Sequence, residues 1–126
     1  MPPEFSRVNG KICYVELPAS NVAKSAEFYT KVFGWSMRTR GDGTQAFDDT
    51  TGQVSGSFVT DRKPIASPGM VIYVMVDDAA ASCRAIEANG GKVIVPVDPN
   101  GREIFAHFTD PGGNVLGIYQ GPRAQS

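Results

Sequence analysis

Apolar positions along this chain fall into short runs whose period switches from two residues to about 3.6 and back, and the switch happens twice. The first run, Ile12-Cys13-Tyr14-Val15-Glu16-Leu17, is rich in strand formers. Pro18, which has no amide hydrogen to give a sheet, is expected to end it. Ser20 or Asn21 can cap the helix that follows, in which Val22, Ala26, Phe28, Tyr29, Val32 and Phe33 recur at helical spacing until Gly34. Three short strands are expected next, over about 35–39, 45–49 and 53–59, divided by Gly41-Asp42-Gly43 and Asp48-Asp49-Thr50-Thr51-Gly52.

The polar, proline-bearing stretch 61–69 has no periodicity and reads as a linker. Beyond it the pattern starts again: Val71-Ile72-Tyr73-Val74-Met75-Val76 is a strand, Asp77 or Asp78 caps, and Ala79 through Ala88 form a helix closed by Asn89-Gly90-Gly91. Strands are expected over about 92–97, 103–109 and 114–120. An internal repeat is visible, because Thr51–Phe58 and Asp110–Tyr119 share Gly-polar-Val-x-Gly-x-aromatic. A lone strand–helix–three-strand unit leaves one sheet face uncovered, which a second unit covers or turns into a cavity wall. The expected architecture is α+β: two βαβββ modules forming a curved eight-stranded mixed sheet with two outer helices. It makes one domain over 1–126, with module one at about 11–60, linker 61–69, module two at about 70–120 and tail 121–126.

Composition narrows the class without choosing a function. With 41% apolar and 20% charged residues and a formal net charge of −1, the 126-residue chain reads as an ordinary globular domain. Its twelve basic residues are scattered among thirteen acidic ones, which gives nucleic acid no basic face. No window approaches the ~20 apolar residues of a membrane span, and the first residues lack the basic-then-apolar order of a leader, so a soluble cytoplasmic protein with no membrane partner is expected. Cys13 and Cys83 have neither CxxC spacing nor a neighbouring His and read as buried reduced thiols.

Two segments, Val22-Ala23-Lys24-Ser25-Ala26-Glu27-Phe28-Tyr29-Thr30-Lys31-Val32-Phe33-Gly34-Trp35 and Phe108-Thr109-Asp110-Pro111-Gly112-Gly113-Asn114, resemble the vicinal-oxygen-chelate superfamily of glyoxalase I, bleomycin-resistance proteins and extradiol dioxygenases. The resemblance covers about 11–120 and implies that superfamily's fold. It also implies four metal-ligand positions, which fall here on Tyr14, Gly56, Val71 and Gly117. A divalent transition metal needs at least two or three N, O or S ligands, so no metal and no cofactor are expected. The same pattern turns His107, the only histidine, toward the cavity.

Strand parity then gives the candidate site. Glu16 and His107 are the candidate acid–base pair, and Tyr14, Phe58, Tyr73, Met75 and Tyr119 are the candidate ligand-binding residues. Glu16 has an alternative reading as half of an ion pair with an Arg, and His107 as a core residue bonded to a backbone carbonyl. Trp35 is expected to pack between helix and sheet. Two function classes follow. One is a metal-free protein of the bleomycin-resistance type that binds a planar or aromatic small molecule. The other is an enzyme, a lyase, isomerase or dioxygenase relative, using a displaced metal or Glu16 and His107. A homodimer is expected in either case, because open sheet edges and an exposed concave face invite pairing.

Overall fold

The computed structural model describes residues 6–65 and 69–120; the middle of the expected linker and the expected tail lie outside the described residues. The chain divides between Pro64 and Ile65 into two compact units. The first contains β1 (Tyr14–Pro18), α1 (Val22–Phe33), β2 (Ser36–Thr39), β3 (Gln45–Asp48) and β4 (Ser55–Val59). The second contains β5 (Tyr73–Val76), α2 (Ala79–Ala88), β6 (Lys92–Val95), β7 (Ile104–Thr109) and β8 (Val115–Gln120). Both units follow the expected strand–helix–three-strand order. Hydrogen bonding gathers the eight strands into two four-stranded mixed sheets, ordered β1-β4-β3-β2 and β5-β8-β7-β6. In each, the first strand runs parallel to the last and the other pairs are antiparallel.

Local chemistry sets the helix ends. The Asn21 side chain accepts from the Lys24 amide at 3.0 Å, and Gly34 closes α1 at φ 74°, a left-handed conformation that glycine adopts without strain. Asp78 plays the same part for α2, accepting from the Ala81 amide at 3.1 Å. As expected, the first strand ends at Pro18, the last residue of β1, which is paired with Val59. β1 is an edge of its sheet, where a missing N–H is tolerated.

In the first unit α1 packs on β2, β3 and β4. Leu17, Phe28, Tyr29, Phe47 and Phe58 are buried there. As the sequence suggests for Trp35, its ring stacks between Tyr29 on α1 (4.6 Å) and Phe47 on β3 (4.9 Å). In the second unit α2 packs on β6, β7 and β8 over buried Ile86, Ala106, Phe108, Leu116 and Ile118. Each fully buried residue of that size contributes about 1.5–3 kcal/mol, so these two clusters hold their helices to their sheets.

Both units enter their last strand through an aspartate-anchored turn. In the second, the buried Asp110 carboxylate accepts from the amides of Gly112 and Asn114, each at 2.9 Å, and from the Asn114 side chain. The Asp-Pro-Gly-Gly-Asn segment is therefore a structural device that launches β8. In the first unit, Asp49 accepts from the amides of Gln53 and Val54 at 3.1 and 3.2 Å. That turn is one residue longer: the Asp110 amide reaches the carbonyl of Asn114, whereas the Asp49 amide reaches that of Val54.

Candidate functional site

The extra turn residue decides which side chains reach the sheet face away from the helix. Side chains alternate along a strand, so a shift of one reverses every one of them. Tyr73 lies five positions before its helix cap and pairs with Gly117; Glu16 lies five before Asn21 and pairs with Ser57. Ser57, and not Gly56, is thus the counterpart of Gly117. Phe58 accordingly faces α1, 3% exposed, with its ring 6.1 Å from Tyr29 and 5.2 Å from Phe47. The expectation that Phe58 shares a binding face with Tyr14 is corrected: it is a core residue on the opposite face.

Four of the remaining candidates come together on the second sheet. Tyr73, Gly117, His107 and Val95 form one row across β5, β8, β7 and β6, and Met75, Tyr119 and Phe105 form the next. The alternate residues Val74, Ile118 and Ala106 form a row toward α2, whereas Tyr73 and Met75 are 46% and 68% exposed. Tyr73, Met75, Glu103, Phe105 and Tyr119 line a concavity of about 510 Å³, within the range that holds a drug-sized ligand. Beside it the Tyr73 hydroxyl and His107 Nε2 lie 2.7 Å apart, a hydrogen bond whose direction follows the imidazole tautomer. The rings of Tyr73, Phe105 and His107 are mutually 5.5–6.3 Å apart, the spacing of tilted and edge-to-face aromatic pairs.

Gly117 makes this cluster possible. A Cβ there would lie 2.5 Å from Tyr73 Cε2 and 3.2 Å from His107 Cδ2, so the Tyr73 ring occupies the room a side chain would take. The superfamily's metal does not fit this arrangement. Gly117 offers no donor, and the Tyr73 hydroxyl engages the His107 ring nitrogen. Val71 lies outside β5 and has no donor either. Among the described residues, no three His, Cys, Asp or Glu side chains form a metal-binding group.

Tyr14 and Glu16 belong to the first unit, on the sheet face away from α1. Arg40 donates to the Tyr14 hydroxyl and lies 5.2 Å from its ring centroid. Glu16 sits on the edge strand β1 and forms an ion pair with Arg62, the alternative its sequence reading left open, both half exposed. On the same face Asp48 receives Arg38 through two hydrogen bonds of 2.9 and 3.1 Å and the Ser55 hydroxyl at 2.6 Å. The hydrogen bond from Arg38 holds the Asp48 carboxyl below the ordinary carboxylate range, and Ser55 adds to the effect.

Cys13, expected to be buried, is exposed just ahead of β1. Cys83 is half-buried on α2, where burial and then Glu87 push its thiol pKa up, away from the reactive thiolate. It lines a second groove of about 530 Å³ between α2 and β6, which carries no aromatic ring. The sequence-based ligand-binding set omits Phe105 and Glu103, although their even spacing from His107, two and four residues, puts all three on one side of an extended chain. That parity was a sufficient signal.

The two βαβββ units and the ring-lined sheet face define an α+β protein with a ligand-sized aromatic surface. The sequence matches the Glyoxalase/Bleomycin resistance protein/Dioxygenase superfamily over residues 11–118, and the chain belongs to that superfamily. A glyoxylase-like domain-containing protein of Didymella fabae is 32% identical, covering 91% of this chain and 97% of that protein. The anthracycline biosynthesis protein DnrV of Streptomyces peucetius is also 32% identical over 88% of this chain. Only 47% of DnrV is matched, so this chain spans about half its length. Among solved structures, TnmS3, an antibiotic binding protein from Streptomyces sp. CB03234, superposes with a TM-score of 0.66 at 23% identity, covering 93% of this chain and all of that one.

Proposed function

We propose that this protein binds a planar or aromatic small molecule on the ring-lined face of its second sheet, without a metal. The observation that carries the reading is the grouping of Tyr73, Met75, Phe105 and Tyr119 around a concavity of about 510 Å³, with the Tyr73–His107 pair at its edge. One exposed ring, two half-buried ones and an exposed thioether are costly to leave in water and suited to stacking on a flat ligand, and a small number of polar groups fixes its orientation. The similarity to DnrV, an anthracycline biosynthesis protein, and to TnmS3, an antibiotic binding protein, agrees with a polycyclic ligand. In this reading the two units work as one domain, in a cytoplasmic homodimer that buries open sheet edges. No helix among the described residues is long and apolar enough to cross a membrane.

The test is thermal denaturation with a panel of polycyclic quinones, an anthracycline among them, followed by calorimetric titration of any hit. A ligand at 100 times its Kd stabilises the folded state by about 2.7 kcal/mol, which shifts Tm by several degrees in a chain of this size. No shift with any member of the panel contradicts the proposal. A second reading, an acid–base enzyme of the same superfamily, is favoured by the 2.7 Å Tyr73–His107 bond, through which a phenol and an imidazole can exchange a proton. Turnover of a bound compound that is lost in His107→Ala, with binding retained, selects it.

A further inference from the structure

The concavity on the second sheet carries a charge as well as rings. Among the described residues that line it, Glu103 is the one charged side chain, and no Lys or Arg joins it. Glu103 is exposed just ahead of β7 and lines the concavity together with Phe105. An exposed carboxylate alone gives a ligand little, because water screens it. Here it shares a concavity with the rings of Tyr73, Phe105 and Tyr119, whose quadrupoles also attract positive charge, and with the polarisable sulfur of Met75. A ligand that covers the concavity removes water from all of these groups together, and each of them then favours a cation over a neutral ring and a neutral ring over an anion.

Building on the binding role above, we propose that the ligand class is a planar aromatic cation, with Glu103 as its counter-charge and the Tyr73, Phe105 and Tyr119 rings as its stacking walls. The Tyr73 ring is held by its hydrogen bond to His107 and by the room left at Gly117, so one wall exists before the ligand arrives. Pre-set walls lower the ordering cost of binding.

Three tricyclic probes of matched shape separate charge from stacking: N-methylacridinium, N-methylacridone and acridone-4-carboxylate, titrated into the full chain by fluorescence and calorimetry. The cation is expected to bind about tenfold more tightly than the neutral ring, chiefly through the Glu103 carboxylate that the ligand partly desolvates, and the anion more weakly than either. Glu103→Gln is expected to bring the cation to within about twofold of the neutral ring titrated into the same variant. Raising salt should narrow the gap in the unmodified protein, an independent readout that needs no variant. Equal affinities for cation and neutral ring, or a preference that survives both Glu103→Gln and high salt, overturn the inference and leave aromatic binding standing. Binding of none of the three also overturns it, and the quinone panel then decides the broader reading separately.

Discussion

The ring of Tyr73 lies across Gly117, its neighbour on the next strand, so closely that a single methyl group on the glycine would meet Tyr73 Cε2 at 2.5 Å. Gly117→Ala should therefore displace the ring and break the Tyr73–His107 hydrogen bond. Overpacking of this kind costs about 1–3 kcal/mol, and a half-exposed ring that can swing outward places the cost at the low end. Equilibrium urea denaturation measures it, and loss of the ring contact should weaken ligand binding in the same variant.

Gly56→Ala should be much worse. Its Cβ would meet the Val15 carbonyl oxygen at 2.1 Å and the buried Phe47 ring at 2.3 Å, and neither backbone nor a core ring can yield cheaply. A loss of more than about 3 kcal/mol in the same urea assay is expected.

Phe58 and His107 should separate folding from binding. Phe58→Ala empties a core site among Tyr29 and Phe47 and should cost about 3–5 kcal/mol. Where that variant remains folded, its ligand affinity should match the parent's. His107→Ala should lower Tm only slightly but weaken ligand binding by about 1–3 kcal/mol, because Tyr73 loses the partner that orients it. Calorimetric titration beside thermal melts reads both quantities.

Acid should weaken the first unit through Asp48. Its folded pKa is depressed, chiefly by the hydrogen bond from Arg38, so its stabilisation is present above the unfolded value of about 3.9 and is lost as pH falls through the folded value. Asp48→Asn should cost about 0.5–1 kcal/mol at pH 7, a surface pair discounted for the half-exposed Arg38. It should cost less at pH 3, and urea midpoints at the two pH values test the sign.

Period and punctuation were enough to read the element order from the chain, because two-residue alternation, helical spacing, caps and glycine stops agree with one another in both halves. The site was read less evenly. Tyr73, Met75, His107 and Tyr119 reach one face because the second half's strands follow simple parity. Phe58 fails because the shared Gly-polar-Val-x-Gly-x-aromatic pattern aligns the two last strands at Gly52 and Gly113. The aspartate turns align them at Val54 and Asn114 instead, one residue out. Turn length is written in hydrogen bonds from Asp49, which residue identity alone does not display. The ion pair of Glu16 with Arg62 and the hydrogen bond from Arg40 to Tyr14 join segments far apart in the chain, so no local pattern announces them.

Binding on the ring-lined face of the second sheet is tested most directly by titrating the compound that raises Tm most into the parent protein and into Tyr73→Ala, Phe105→Ala and the double variant, with Tyr14→Ala as a first-unit control. Each single change should weaken binding about tenfold, the worth of one aromatic stacking contact, and the double change by more, while Tyr14→Ala leaves affinity within about twofold. Unchanged affinity in the double variant, with its melt showing a folded protein, would contradict a ligand held between these rings.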